Sequence, residues 1–166
     1  MRVSAPFEPA IVCRDLNTML AFYRDVLGMS VFSLDSIGAG PAGAARLSPD
    51  GYDIARLETE RGDRLKLVAP RQSPQAQPAR DFVLQRHGYA YLTYIVPDLR
   101  GVQAALRRAG AEILTGDEPV GFRPGVVELI FARDPEGNCL EFVERNDLAA
   151  YRPGGTRERW TEKEPG

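Results

Sequence analysis

The sequence predicts an α+β fold in which a strand, a helix and three further strands occur twice, and three observations carry that prediction. A turn-centred stretch, Arg133-Asp134-Pro135-Glu136-Gly137-Asn138-Cys139-Leu140-Glu141-Phe142-Val143, has an imperfect, gapless copy in residues 58–68. Gly62 stands at the place of Gly137, Asp63 at Asn138, Leu65 at Leu140, Lys66 at Glu141 and Val68 at Val143. The β-branched run Ile11-Val12 before Asp15-Leu16 is likewise repeated as Ile95-Val96 before Asp98-Leu99. After each aspartate, apolar residues recur at helical spacing and stop at a glycine.

The first unit opens with a strand that ends at Asp15, a residue suited to N-cap a helix. Met19, Leu20, Phe22, Tyr23, Val26 and Leu27 form the helix stripe, and Gly28 closes it as a C-cap glycine. A short apolar run follows at 31–34. Residues 36–51 are rich in glycine and contain two prolines, and read as a long lid-like or surface loop. They are not a phosphate cradle, because the Gly-Lys-Ser/Thr ending and the strand-to-helix setting are missing. The hairpin of 58–68 completes the unit. Residues 70–86, with Pro70, Pro74 and Pro78 among Gln and Arg, read as the link between units.

The second unit repeats the order. Tyr91, Leu92, Thr93 and Tyr94 lead to Asp98, and Tyr89, Tyr91 and Thr93 share one strand face while Leu92 and Tyr94 share the other. Leu99, Val102, Ala105, Leu106 and Ala109 form the helix stripe that Gly110 ends. Ile113 and Leu114 give the next short run, and Phe122 and Arg123 fall in a loop before a strand over 126–131. In the last hairpin Pro135 presets a type I turn, and Gly137 supplies the left-handed residue of a bulged closure. Alternation then sets Leu140 and Phe142 on one face, with Cys139, Glu141 and Val143 on the other. The units are assigned to 1–69 and 87–144. A charged tail of 145–166 carries Leu148, Tyr151 and Trp160 as its few apolar anchors.

At 166 residues the chain can bury a sizeable core, and a formal charge of −2 gives no broad drive toward nucleic acid or membrane. No apolar run approaches the ~20 residues needed to span a bilayer, and the N-terminus has no signal-peptide pattern. The cytoplasm is therefore the default expectation. Cys13 and Cys139 form no metal-type pair and are expected as buried, reduced thiols. His87 is the single histidine, so no site needing two histidines from one chain exists, and an exposed or structural role is expected for it. Arg100, Arg107 and Arg108 read as a solvated helix face.

The doubled unit, the strand-Asp-Leu-helix openings and the Asp-Pro-Glu-Gly-Asn-x-Leu-Glu-Phe hairpin resemble the vicinal oxygen chelate superfamily, over roughly residues 7–144. Glyoxalase I, the bleomycin-resistance proteins and the extradiol dioxygenases belong to that group. The resemblance implies two paired βαβββ modules whose curled mixed sheets form a cup, with a divalent metal in the catalytic members. It also implies that ligands to the metal come from the first and last strands of each module. Here the matching positions are Glu8, Lys66, Tyr91 and Glu141.

That set is unusual for a metal site. A protonated lysine has no lone pair and repels a nearby cation, so Lys66 fits better as the counter-ion of Glu8 or Glu141. Tyr91 can donate to the other carboxylate. The expectation is a metal-free cup with no cofactor, whose alternative is Mg, Mn, Fe, Zn or Ni held by Glu8, Glu141 and water. A structural Lys66–Glu141 ion pair is the bland alternative.

Three functions remain open at this point. One is a cofactor-independent isomerase, cyclase or lyase acting on a small oxygenated organic molecule, with Glu141 as base and Tyr91 or Lys66 as acid. The second is a non-catalytic protein that sequesters a small-molecule ligand in the manner of bleomycin-resistance proteins. The third is a divalent-metal-dependent lyase, epimerase or dioxygenase. Glu8, Tyr89, Thr93, Phe122 and Arg123 are the expected ligand-binding residues. A homodimer is expected from the resemblance, with no nucleic acid or membrane partner.

Overall fold

The computed structural model describes residues 7–75, 82–85, 87–123 and 125–148. Strand β1 (Ala10–Val12) leads into helix α1 (Leu16–Ala21), which continues as a π-helical turn over Phe22–Val26. Strand β2 (Ser30–Ile37), helix α2 (Ala39–Ala44) and strands β3 (Tyr52–Glu58) and β4 (Arg64–Pro70) complete the first unit. The second comprises β5 (Leu92–Ile95), α3 (Leu99–Arg108), β6 (Val120–Arg123), β7 (Val127–Arg133) and β8 (Cys139–Arg145).

Each unit is a four-stranded mixed sheet, ordered β1-β4-β3-β2 in one and β5-β8-β7-β6 in the other. The first strand of each pairs parallel to the last, and the remaining neighbours are antiparallel. The two sheets share their register too. Ala10 lies opposite Lys66 as Thr93 lies opposite Glu141, so Glu8 and Tyr91 occupy corresponding places just ahead of the first strands. Among the described residues no paired strands join the sheets, which are therefore not closed onto each other.

The expected local signals are in place. Asp15 accepts from the Thr18 N–H and Asp98 from the Gly101 N–H, each capping its helix. Gly62 and Gly137 turn the two hairpins at φ +85° and +87°, a left-handed backbone that side-chain-bearing residues avoid. One core runs behind both sheets, where Met19, Phe22, Tyr23, Leu57 and Leu67 pack in the same cluster as Leu99, Leu106, Ile130, Leu140 and Phe142. Each such burial contributes about 1.5–3 kcal/mol. Cys13 and Cys139 are buried and not joined in a disulfide. Burial is the main cause that pushes the Cys13 thiol up to about 12, so it stays protonated and inert.

Three local expectations need correction. The glycine-rich stretch is not one loop. Ser36 and Ile37 extend β2, and α2 follows with Pro41 in its first turn, where a missing N–H breaks no helical bond. Ala42 is 1% exposed and Ser48 donates to the Gly51 carbonyl, which pins the segment. In the second unit Ile113 makes only an isolated bridge to Ala132, and the strand beside β7 is β6. Phe122 and Arg123 consequently sit in a strand, because antiparallel pairing with β7 decides that segment. Their side chains lie outside the described set. So do Tyr151 and Trp160 of the tail, and residues 76–81 and 86 of the linker.

The repeated hairpin has an architectural role. The Glu136 carboxylate accepts from the Arg14 N–H at 2.8 and 2.9 Å and from the Asp15 N–H at 2.7 Å, and its side chain is only 11% exposed. Beside it, buried Asp134 accepts from the Tyr23 hydroxyl at 3.0 Å, from the Glu136 and Asn138 N–H groups and from the Asn138 amide. Burial raises the Asp134 carboxyl despite those donors. The second unit thus grips the first through polar contacts added to the shared core. The first hairpin has Arg61 where the second has Glu136, so the reverse grip lacks its carboxylate.

Candidate functional site

Alternation along β4 sends Leu65 and Leu67 into the core and leaves Arg64, Lys66 and Val68 on the opposite face. There Lys66 Nζ lies 2.8 Å from Glu8 Oε2, and Arg64 reaches Glu8 Oε1 at 3.2 Å and Glu58 Oε2 at 2.8 Å. Lys66 first, and Arg64 next, hold the Glu8 carboxyl below its ordinary value. The Arg64 guanidinium also lies 4.1 Å from the Phe32 ring centroid. Lys66 is the counter-ion of Glu8, and the alternative Lys66–Glu141 ion pair is not formed.

On the second sheet the same alternation buries Leu140 and Phe142 and presents Glu141 on the other face. Its partner is Thr93, whose hydroxyl donates to Glu141 Oε2 at 2.6 Å, as their facing positions in the β5–β8 register require. Tyr91 does not donate to this carboxylate. Its ring packs edge-to-face on Phe131, with centroids 5.1 Å apart and planes at 79°. Among the described residues no hydrogen bond or ion pair connects the Glu8–Lys66 pair to the Thr93–Glu141 pair. The four expected polar groups therefore form two sites, one on each sheet.

Tyr91, Thr93 and Glu141 line a cavity of about 860 Å³ on the second sheet. Ile95, Val127, Leu129, Phe131 and Val143 extend its floor, and Phe82, Val83 and Leu84 come from the linker to form a wall. Its mainly apolar lining with a few polar groups is the usual make-up of a small-molecule site. Arg145, also on the wall, is bound to Asp147 at 2.8 and 2.9 Å.

Tyr89 departs from its expected place. It precedes β5, is 99% exposed and is not on the cavity wall, because strand pairing begins only at Leu92. Tyr94 takes the opposite face as expected and stacks on Phe142 at 5.6 Å. His87 is exposed. The linker wall was missed by the sequence reading, although the triplet Phe82-Val83-Leu84 interrupts an otherwise polar segment and was the available signal.

Among the described residues no group of three or more His, Cys, Asp or Glu side chains is placed to hold a metal ion. Glu8 is already neutralised by two cations, and Glu141 stands alone. This donor set does not suit a divalent ion, which would have to displace or approach an ammonium and a guanidinium. No helix among the described residues is long and apolar enough to cross a membrane.

Comparison with solved structures places this architecture. A glyoxalase family protein from Bacillus cereus aligns with TM-score 0.74 at 20% identity, over 87% of this chain and 96% of that one. A glyoxylase/bleomycin resistance protein/dioxygenase domain from Frankia sp. EAN1pec aligns with TM-score 0.65 at 17% identity, over 88% and 95% of the two chains. The trypanothione-dependent glyoxalase I of Leishmania major gives 0.60 at 18% identity, over 87% and 88%. At these identities the likeness is one of fold. No curated protein sequence matches the chain significantly. The profile of the Glyoxalase/Bleomycin resistance protein/Dioxygenase superfamily matches residues 7–142, and the chain belongs to that superfamily.

Proposed function

We propose that this protein binds a small molecule in the cavity on its second sheet without a metal ion, with Glu141 as the polar anchor. The observation that carries this reading is the lining itself, where Glu141 is the one carboxylate among mainly apolar side chains, held by the Thr93 hydroxyl at 2.6 Å, with no His, Cys or second acidic side chain among the described lining residues to share a metal ion. The cavity of about 860 Å³ is large enough for a drug-sized ligand.

Two measurements test it. Protein purified without a His-tag is expected to retain no stoichiometric metal and to show no calorimetric binding of Mn²⁺, Fe²⁺, Zn²⁺ or Ni²⁺. About one tightly held ion per chain would overturn the metal-free reading. Native mass spectrometry is expected to find small molecules retained by the wild-type chain and absent from Ile95→Trp, whose indole intrudes on the cavity from a half-exposed position. Equal retention by both would remove the cavity as the site.

A second reading is favoured by the Thr93 hydrogen bond. It occupies Oε2 of Glu141 and leaves Oε1 able to take a proton, with the Tyr91 phenol on the same wall. A carboxylate so placed can act as general base in a cofactor-independent isomerase, cyclase or lyase. Glu141→Gln that keeps ligand affinity but loses turnover of the retained molecule would establish catalysis. Loss of affinity alone would leave a binding protein. A homodimer in the cytoplasm remains part of the proposal, and light scattering at twice the chain mass is the expected result for the assembly.

A further inference from the structure

The charges around the cavity are unequally answered. Arg145 is neutralised by Asp147 through two short hydrogen bonds. Glu141 has only a neutral hydroxyl partner, and among the described residues no Lys or Arg lies within ion-pair distance of it. On the first sheet, by contrast, Glu8 and Glu58 are both paired. The cavity wall therefore carries one unanswered negative charge among Ile95, Val127, Leu129 and Val143, with the aromatic rings of Phe82, Tyr91 and Phe131 beside it.

A carboxylate among apolar side chains loses part of its hydration and gains from a matching cation more than it would in open water. Aromatic rings add attraction for the same sign of charge through their π faces, and repel an anion placed there. Hydrocarbon walls meanwhile favour a ligand whose charge is carried on an apolar body. We propose that the cavity selects lipophilic organic monocations, such as an ammonium or phosphonium carried on aromatic or aliphatic groups, with Glu141 as the charge-selecting residue. Phe82 and Leu84, 73% and 77% exposed as they stand, supply the linker wall that such a ligand covers. The inference rests on the reading of this cavity as a small-molecule site and adds the class of molecule that the site accepts.

The experiment uses a pair of ions nearly equal in size and shape and opposite in charge, tetraphenylphosphonium and tetraphenylborate. Their binding to the full chain is measured by equilibrium dialysis at low ionic strength. Tetraphenylphosphonium is expected to bind at least about tenfold more tightly than tetraphenylborate. Glu141→Gln keeps an acceptor for Thr93 and removes the charge, and it is expected to erase that preference. Phe82→Ala with Leu84→Ala, both at exposed positions, is expected to weaken tetraphenylphosphonium several-fold while the preference for the cation is retained.

Ile95→Trp separates failure of the inference from failure of the underlying reading. Should both ions bind alike, or the borate more tightly, with Ile95→Trp abolishing binding, the cavity is a site and the charge selection is refuted. A cation preference that survives Glu141→Gln also refutes it. Absence of binding by either ion, or binding indifferent to Ile95→Trp, overturns both the inference and the cavity reading. Circular dichroism of each variant establishes that the comparison is made on folded protein.

Discussion

Replacing Glu136 by alanine removes the carboxylate by which the second unit holds the first. Two backbone donors, the Arg14 and Asp15 N–H groups, lose an ionised acceptor at 2.7–2.9 Å. A hydrogen bond to a charged group contributes about 1.5–3 kcal/mol. Arg14 and Asp15 are exposed, so water can reach both N–H groups once the side chain is gone, and we halve the combined cost. About 2 kcal/mol remains, equivalent to a fall in Tm of roughly 4–8 °C for a chain of this size. The Arg14 side chain, at 3.7 Å and 55% exposed, adds little. Glu136→Gln retains one carbonyl acceptor and is expected to lose about half as much. Urea unfolding followed by circular dichroism measures all three proteins. Arg61→Ala, at the matching place in the first hairpin, is the control, and as an exposed position it is expected within about 0.5 kcal/mol of wild type. A Glu136→Ala protein as stable as wild type, or an Arg61→Ala protein equally impaired, would refute the one-way grip.

Two glycines with nearly the same backbone should respond differently to alanine. Gly51 has φ +90° and a Cβ there would collide with the Ile37 carbonyl oxygen, whereas Gly62 has φ +85° with open space around it. Gly62→Ala should cost about 1–2 kcal/mol for the left-handed backbone, and Gly51→Ala about 3 kcal/mol once the collision is added. Equal costs in urea unfolding would show that the stretch around α2 yields freely. The pH dependence tests the first helix cap. Thr18, through its hydroxyl and then its N–H, holds the Asp15 carboxyl below its ordinary 3.8. The folded state therefore releases this proton more readily than the unfolded chain. The resulting stabilisation is present above that ordinary value and is lost as the pH falls through the depressed one. Asp15→Asn keeps a capping oxygen without the titration, so its urea midpoint should fall less steeply than wild type below roughly pH 5. Parallel curves would remove Asp15 as a contributor.

What the sequence made legible was mostly local. A capping aspartate, a C-cap glycine or a turn glycine acts through residues within one turn of itself, so Asp15, Asp98, Gly62 and Gly137 could be read without knowing the rest of the fold. The correspondence between the halves was legible as well, because matching Asp98 to Asp15 equates Thr93 with Ala10 and matching Gly137 to Gly62 equates Glu141 with Lys66, and the structure pairs Thr93 with Glu141 as it pairs Ala10 with Lys66. Strand assignment between Gly110 and Val126 was not. Ile113-Leu114 and Val120-Gly121-Phe122-Arg123 are both short, and only pairing with β7 selects the latter. The split of the polar groups also escaped, since the distance between two sheets is a tertiary property. The linker wall was hidden by its neighbours, where Pro, Gln and Arg outweigh three apolar residues in any average over the segment.

The π-helical turn bears on how the two halves can be compared. From Asp15 to Gly28 there is one residue more than from Asp98 to Gly110, and the Leu27 N–H bonds to the Phe22 carbonyl five residues back. An extra residue in an ordinary α-helix would swing everything beyond it around the axis by about 100°. The widened turn absorbs it, so Gly28 and the strand after it keep their station. The halves consequently run in step before the helix and slip by one within it. The unequal lengths around α2 and β6 shift them again. No single offset superimposes one half on the other along its whole length. Counterparts must be matched segment by segment, Glu8 with Tyr91 by the spacing of the caps and Lys66 with Glu141 by the spacing of the hairpins. A length change drifts harmlessly where one turn or loop can take it up, which is how the halves have come to differ in span while their strands still pair alike.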